Sequence, residues 1–245
     1  MSDYSFDFSG QHVVVTGATS GIGREVCVRL LACGAAVTAL GRDAAALEAL
    51  QALGAQPCQV DLLNPSAVAA ACAGLPLAHG LVNCAGIACL EPATEVTAEV
   101  FDQVMAVNAR AAALVAASVA AKMIAAQVHG SIVNVSSQAS MVGLFDHLAY
   151  CASKGAMDAM TRVQCVEWGA HGIRVNAVNP TVTLTPMAAH AWGEPAKRDP
   201  MLAAIPLGKF AMPVDVAAPV LFLLSQAAAM ISGVCLPVDG GYTSR

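Results

Sequence analysis

The sequence predicts an α/β fold, a single-domain doubly wound parallel sheet with helices on both faces. Three observations predict it. Short β-branched runs alternate with amphipathic helical stretches along all 245 residues, with no repeat, linker or low-complexity break. A glycine-rich turn over 17–23 stands between the first such run and the first helical stretch. The length suits one large domain, 1–245, and is short for two.

The elements follow in order. His12–Thr16 reads as the first strand, and 22–33 as a helix stopped by Gly34. Residues 36–40 form the second strand, 44–53 a helix, 56–60 the third strand and 65–73 a further helix. A fourth strand begins at 80–82 and ends at Asn83. One or two long helices fill 98–127. Ser131–Val135 is the fifth strand, 150–169 a helix and 174–178 the sixth strand. A late helix over 214–224 precedes a short last strand at 234–237. Strand–helix alternation implies parallel strands joined by right-handed crossovers. The exception is 181–210, where Pro186, Pro195, Pro200 and Pro206 accompany Trp192 amid small residues. A long irregular insertion of this kind reads as a substrate lid.

Composition narrows the function classes. Hydrophobic residues make up 57% of the chain and charged residues 12%, with much of the excess in alanine. Either an alanine-rich habit or a subunit interface accounts for that. The net charge is −5 and no basic run is present, so a nucleic-acid partner is not expected. Met1 to Gly10 carries Asp3 and Asp7 without an apolar core, which does not read as a signal peptide. The apolar stretches 107–126 and 216–234 are interrupted by Asn108, Arg110 and Lys122, and by Pro219, Ser225 and Gln226, and do not read as membrane spans. Nine cysteines form no C-x-x-C, which suits reduced thiols in a cytoplasm. The six histidines have no metal-binding spacing, so no metal is expected.

A phosphate needs close backbone approach and free N–H donors. Gly17, Gly21 and Gly23 allow the first, and the helix opening around Thr19, Ser20 and Ile22 supplies the second. At the end of the second strand an acidic residue would bind ribose hydroxyls and repel a 2′-phosphate. Here stands Gly41-Arg42-Asp43. Arg42 reads as the ligand of a 2′-phosphate and Asp43 as a helix cap, which makes NADP(H) the expected cofactor and NAD(H) the second option. Asp61, beside Leu62, either binds the adenine amino group or caps a helix. Asn83, Ala85 and Gly86 end the fourth strand, where small residues let the backbone approach a ribose.

Tyr150 and Lys154 lie four residues apart, on one helix face. A neighbouring ammonium favours the phenolate and lowers the phenol from its ordinary value of about 10. Such a phenol exchanges protons with a substrate oxygen. Ser136 and Ser137 follow the fifth strand at the sheet edge where ligands bind, and either hold a substrate oxygen or close a turn. Asn108, inside an apolar helix, needs partners. It is structural, or it holds a water in a proton relay with Lys154.

These motifs resemble those of the short-chain dehydrogenase/reductase family across nearly the whole chain. Residues 16–23 match its T-G-x-x-x-G-x-G turn, and 83–86 its N-x-A-G, with Cys84 in place of the usual second asparagine. Asn108, Ser137, Tyr150 and Lys154 match its catalytic tetrad; the family's Ser–Tyr spacing of thirteen selects Ser137 over Ser136. Arg174-Val175-Asn176 and 238–241 match two further motifs. Within the family, 132–139, 173–181 and 205–211 resemble its ketose and α-dicarbonyl carbonyl reductases most. The resemblance implies a Rossmann-type oxidoreductase acting by tyrosine acid–base chemistry and hydride transfer, assembled as a homotetramer. It implies that Tyr150, Lys154, Pro180, Thr183 and Thr185 also contact the cofactor, the two threonines at the carboxamide. It places Gln138, Leu144, His147 and Trp192 with Ser137 and Tyr150 near the substrate, although a loop residue or a lid anchor remains open for His147 and Trp192. Pro180-Thr181 departs from the usual Pro-Gly, and Ser20 stands where NADPH-linked members often carry a base. A polyol or secondary-alcohol dehydrogenase, a 3-oxoacyl reductase and a dinucleotide sensor without catalysis are the alternatives.

Overall fold

The computed structural model describes residues 6–244, with the side chains of residues 189–191 left undescribed. Seven parallel strands form one sheet in the order β3-β2-β1-β4-β5-β6-β7. They are β1 (His12–Thr16), β2 (Ala36–Gly41), β3 (Gln56–Gln59), β4 (Gly80–Asn83), β5 (Ser131–Val135), β6 (Arg174–Pro180) and β7 (Cys235–Val238). Between them run α1 (Gly21–Ala32), α2 (Ala44–Gln51), α3 (Pro65–Gly74), α4 (Ala98–Met105), α5 (Ala111–Ala125), α6 (Leu148–Trp168), α7 (Pro186–Trp192), α8 (Pro195–Ala203) and α9 (Pro213–Leu224). Every strand predicted from the sequence is present, most within a residue or two at each end.

Strand alternation divides the core. Val13 and Val15 face a cluster with Val26, Leu30, Leu47 and Val220 from α1, α2 and α9. Val14 faces the opposite cluster, with Val68, Val115, Val119 and Met123 from α3 and α5. Period-two backbones thus feed two helical layers. The strand order reverses between β1 and β4, so two crossovers part there and leave a crevice above the carboxyl ends.

The stretch 98–127 is one helical run broken only by a π-turn, Ala106–Arg110, between α4 and α5. The run Ala98–Ala125 is long and apolar enough to cross a bilayer, yet 56% of its most apolar window is buried inside the protein. Ala112, Val115, Ala116, Val119, Ala120 and Met123 recur at helical spacing and account for that burial.

The expectation of an irregular lid needs correcting. Residues 181–210 contain two short helices, α7 and α8. Pro186 and Pro195 each occupy the first turn, where a missing N–H costs nothing, and the Thr185 hydroxyl caps α7 through Ala188 N–H at 3.3 Å. Val182, Ala188 and Met201 pack with Trp192, Phe210 and Tyr242 into a satellite core.

At the amino end of β1, His12 N–H donates to His79 Nδ1 at 3.1 Å and His12 Nε2 meets Thr38 Oγ1 at 2.7 Å. The first bond requires His79 without a proton on Nδ1. Burial, then the neighbouring His79, holds His12 below its ordinary value. The unfolded chain therefore binds a proton that the folded chain resists. The stability that depends on a neutral His12 is complete above about pH 7 and is lost as pH falls through the imidazole range. The thermal midpoint is expected to drop between about pH 7 and 5, and to drop less in His12→Asn. Identical slopes for the two proteins contradict this.

Candidate active site

The carboxyl ends of the central strands open onto a cavity of about 510 Å³. β1 hands the chain into it tightly. Thr16 Oγ1 accepts from Cys84 N–H at 3.1 Å and Ala85 N–H at 3.2 Å, tying the β1 turn to the end of β4. Gly17 has φ +67°, and a Cβ there would lie 2.7 Å from the Ala85 backbone. A Cβ on Gly23 would run into the Gly17 carbonyl. Only glycine fits either place. Ser20 starts α1 without a side-chain cap, and its first turn carries no acidic residue. The N–H groups around Gly21, Ile22 and Gly23 therefore keep a positive end facing the cavity. Thr19 and Ser20 line the same end.

Arg42 follows β2 at the rim and makes no ion pair among the described residues. Asp43 caps α2, accepting from Ala46 N–H at 3.0 Å, as its position in the sequence predicts. Asp61 and Leu62 line the cavity beyond it. The cap reading of Asp61 is corrected: Asn64 caps α3, while Asp61 Oδ1 closes a turn on Leu63 N–H at 3.0 Å.

At the other end Ser137, Tyr150 and Lys154 converge. The Ser137 hydroxyl stands close enough to the Tyr150 phenol to act on its titration, and both line the cavity. Ser136 Oγ instead donates to the Lys154 carbonyl at 3.3 Å, fixing α6 against β5, so position alone separates the two serines. Lys154 Nζ donates to the Val135 carbonyl at 2.7 Å and lies 5.7 Å from the centre of the Tyr150 ring. Burial pulls Lys154 down to about 8, the neighbouring Asp158 carboxylate opposing it. The expected downward shift of Tyr150 needs correcting too. Burial pushes the phenol up, the Ser137 hydroxyl opposing it. Lys154 spends a donor on Val135, and desolvation of a phenolate outweighs its field.

Asn108 sits wholly buried in the π-turn, where the extra backbone residue aims its side chain inward. Its Oδ1 accepts from Ile87 N–H at 2.8 Å, and its Nδ2 donates to the Ile87 carbonyl at 2.9 Å and Ser153 Oγ at 3.0 Å. It pins the chain beyond β4 to the first turns of α6. Gly86 lies against both Asn108 Oδ1 and Lys154 Nζ. Asn108 does not reach the cavity surface, and neither does Asn83, whose Nδ2 donates beneath the floor to Asn134 Oδ1 at 2.9 Å and the Ala112 carbonyl at 3.3 Å.

The remaining expected residues surround the reacting end. Ala85, Gly86, Pro180, Thr183, Thr185, Gln138, Leu144, His147 and Trp192 all line the cavity. His147 stacks on Trp192 with centroids 6.2 Å apart and meets Tyr150 edge-on at 6.0 Å. α7 thereby reaches the start of α6, although residues 147 and 192 stand far apart in the chain. Gln138 Oε1 and Thr181 Oγ1 are buried without a hydrogen-bond partner. Gln103 and Val107 also line the site and carried no sequence signal, since they sit on a stretch read only as apolar helix. Thr181 had one, as the departure from Pro-Gly.

The profile of a family described as enoyl-(acyl carrier protein) reductase matches residues 17–243. The L-xylulose reductase of Bos taurus is 47% identical over 236 residues, spanning 96% of this chain and 97% of its own. The chain belongs to the short-chain dehydrogenase/reductase family. The D-erythrulose reductase of Gallus gallus is also 47% identical, over 237 residues and 96% of each chain. Among solved structures, a Beutenbergia cavernae protein described as an NAD(P)-dependent gluconate 5-dehydrogenase, with NADP bound at low occupancy, superposes with a TM-score of 0.92. It is 33% identical and covers 98% of this chain and 99% of its own.

The family's dinucleotide fits this cavity, because the two close approaches that a Cβ would fill lie beside an acid-free helix N-terminus. Gly23→Ala is expected to cost about 1–3 kcal/mol in urea unfolding through overpacking. Gly74→Ala, with nothing within 4 Å, stays near neutral. Equal stabilities for the two variants contradict the tight-turn reading.

Proposed function

We propose that this protein is an NADP(H)-dependent reductase of ketoses and α-dicarbonyls, of the L-xylulose reductase type. The observation that carries the reading is the convergence of Ser137, Tyr150 and Lys154 at one end of a cavity whose other end is the bare N-terminus of α1 beside Arg42, which makes no ion pair among the described residues. The two curated relatives named for ketose reduction support the substrate class. NADP in the related structure supports the nucleotide.

Each residue has a share. The N–H groups of α1 hold the diphosphate, Arg42 the 2′-phosphate, Asp61 and Leu62 the adenine, and Ala85 and Gly86 the ribose. Thr183 donates its own proton to the Thr181 carbonyl, so it accepts from an amide, while Thr185 keeps its proton to donate. A nicotinamide held there would supply the hydride that the carbonyl carbon receives. Ser137 and Tyr150 donate hydrogen bonds to the substrate oxygen, and Tyr150 then gives it a proton. Lys154 holds a ribose hydroxyl and offsets charge growing on Tyr150. Asn108 fixes the backbone that keeps this relay in register. Gln138, Leu144, His147 and Trp192 hold the rest of the substrate. The same groups run the reaction backwards on a polyol.

The nine free thiols suit a cytoplasmic site of action. Leu114, Val163 and Val166, exposed on α5 and α6, suit burial in a homotetramer.

A panel of ketoses, polyols, dicarbonyls and 3-oxoacyl thioesters, each run with NADPH and NADH, tests the reading. Ketoses with NADPH are expected to lead, and dinucleotide binding without any turnover would overturn catalysis. Tyr150→Phe is expected to lower kcat by about 10²–10⁴ with nucleotide binding retained. Arg42→Ala should weaken NADPH by about tenfold or more and leave NADH unchanged. Reduction needs Lys154 charged, so its rate is expected to fall as pH rises through about 8. A rate flat to pH 10, below the ordinary lysine value of about 10.4, would contradict that role.

A further inference from the structure

Asp158 is a buried carboxylate that the mechanism above leaves unused. It lies one helical turn after Lys154 on α6 and is 6% exposed. Among the described residues no cation pairs with it. Its Oδ2 accepts from Asn179 Nδ2 at 2.9 Å, and its Oδ1 is buried without a partner. Holding a charge this way is costly, and packing alone would be served better by an apolar side chain.

What Asn179 does with its other contacts gives the carboxylate a purpose. The same Nδ2 lies 3.2 Å from the Ser137 carbonyl and 2.8 Å from Ser140 Oγ, so its two protons are shared among three acceptors. Ser140 Oγ in turn donates to the Ser137 carbonyl at 2.7 Å. Asp158 thus anchors, through one amide group, the turn that presents the Ser137 hydroxyl to Tyr150. Asn179 also directly precedes Pro180 at the cavity floor. From the other side Asp158 faces Lys154, whose protonation its charge favours.

We propose that Asp158 is a positioning residue for this reaction: through Asn179 it holds the Ser137 turn against Tyr150, and its charge supports the buried Lys154 ammonium. The proposal rests on the reductase reading above. The titratable groups around the pair are few. Tyr150 and Asp158 face Lys154 from α6, and Cys84 faces it from the end of β4. Cys235 on β7 faces Asp158, with Arg162 donating to its sulfur at 3.8 Å. Burial raises the Cys84 thiol to about 12 and the Cys235 thiol to about 11, so both stay neutral where the enzyme works.

The chain has four lysines, so ε-¹³C-lysine NMR can follow Lys154 directly, in the full-length protein and without substrate. Asp158→Asn keeps an acceptor for Asn179 and removes the charge. Its Lys154 titration is expected to move down by about one unit. The alkaline limb of kcat should move with it, at unchanged KM for NADPH. Asn179→Ala removes the anchor and keeps the charge; kcat should fall about tenfold with the Lys154 titration in place. A Lys154 titration unmoved in Asp158→Asn, or a kcat unmoved in Asn179→Ala, overturns the proposal. If Asp158→Asn does not fold, Asp158→Glu decides: it keeps the anion and lengthens the reach to Asn179. It should retain the wild-type Lys154 titration and lose kcat, and any other pattern overturns the proposal. A wild type that reduces no carbonyl overturns the reductase reading instead, and the substrate-free titration still decides on Asp158.

Discussion

Lys154 places an ammonium group in the seam between α6 and the carboxyl end of β5, at 3% exposure. A cation there is tolerated only if the surroundings replace water. The Val135 carbonyl accepts a hydrogen bond from it, Ser136 fixes its backbone, and Gly86 lies against it and Asn108. These partners come from β5, α6, the end of β4 and the π-turn. Satisfying one buried charge therefore brings together the elements that carry Ser137 and Tyr150. Placement of the tyrosine follows from accommodating the lysine.

The opposite end of the cavity is governed by backbone proximity. Thr16 ties the β1 turn to Ala85, and Gly17 and Gly23 remove the atoms that would keep the chains apart. One cavity thus joins a region of exposed N–H donors to a buried phenol and ammonium. That separation suits a long ligand with phosphates at one end and reacting carbon at the other. Arg42 extends the positive region at the rim, and Asp43 leaves it free by turning to its own helix.

The strands, the glycine turn and the pairing of Tyr150 with Lys154 were legible in the sequence because each has a local signature: period-two alternation, positive-φ glycines, fixed spacing on one helix. The lid was not. Pro186 and Pro195 read as breakers, and their role as first-turn residues depends on Thr185 and on packing around Met201 that no local pattern encodes. The direction of the Tyr150 shift was also misread, because spacing reveals the neighbouring lysine and says nothing of burial depth. Asn83 carries the right motif yet turns its side chain under the floor, toward Asn134 on the adjacent strand. The contact of His147 with Trp192 joins segments 45 residues apart and exists only in the folded chain.

The account stands on one chemical event, transfer of a hydride onto a ketose carbonyl in the cavity above β1, β4 and β5. The most direct measurement is transfer of label from 4-deuterated NADPH to L-xylulose, read by mass spectrometry and NMR of the polyol. The account predicts one deuterium, on the former carbonyl carbon, in one stereochemical configuration, with either the 4R or the 4S label but not both. Polyol without deuterium from both labelled forms, or nucleotide that binds and is never oxidised, would contradict it.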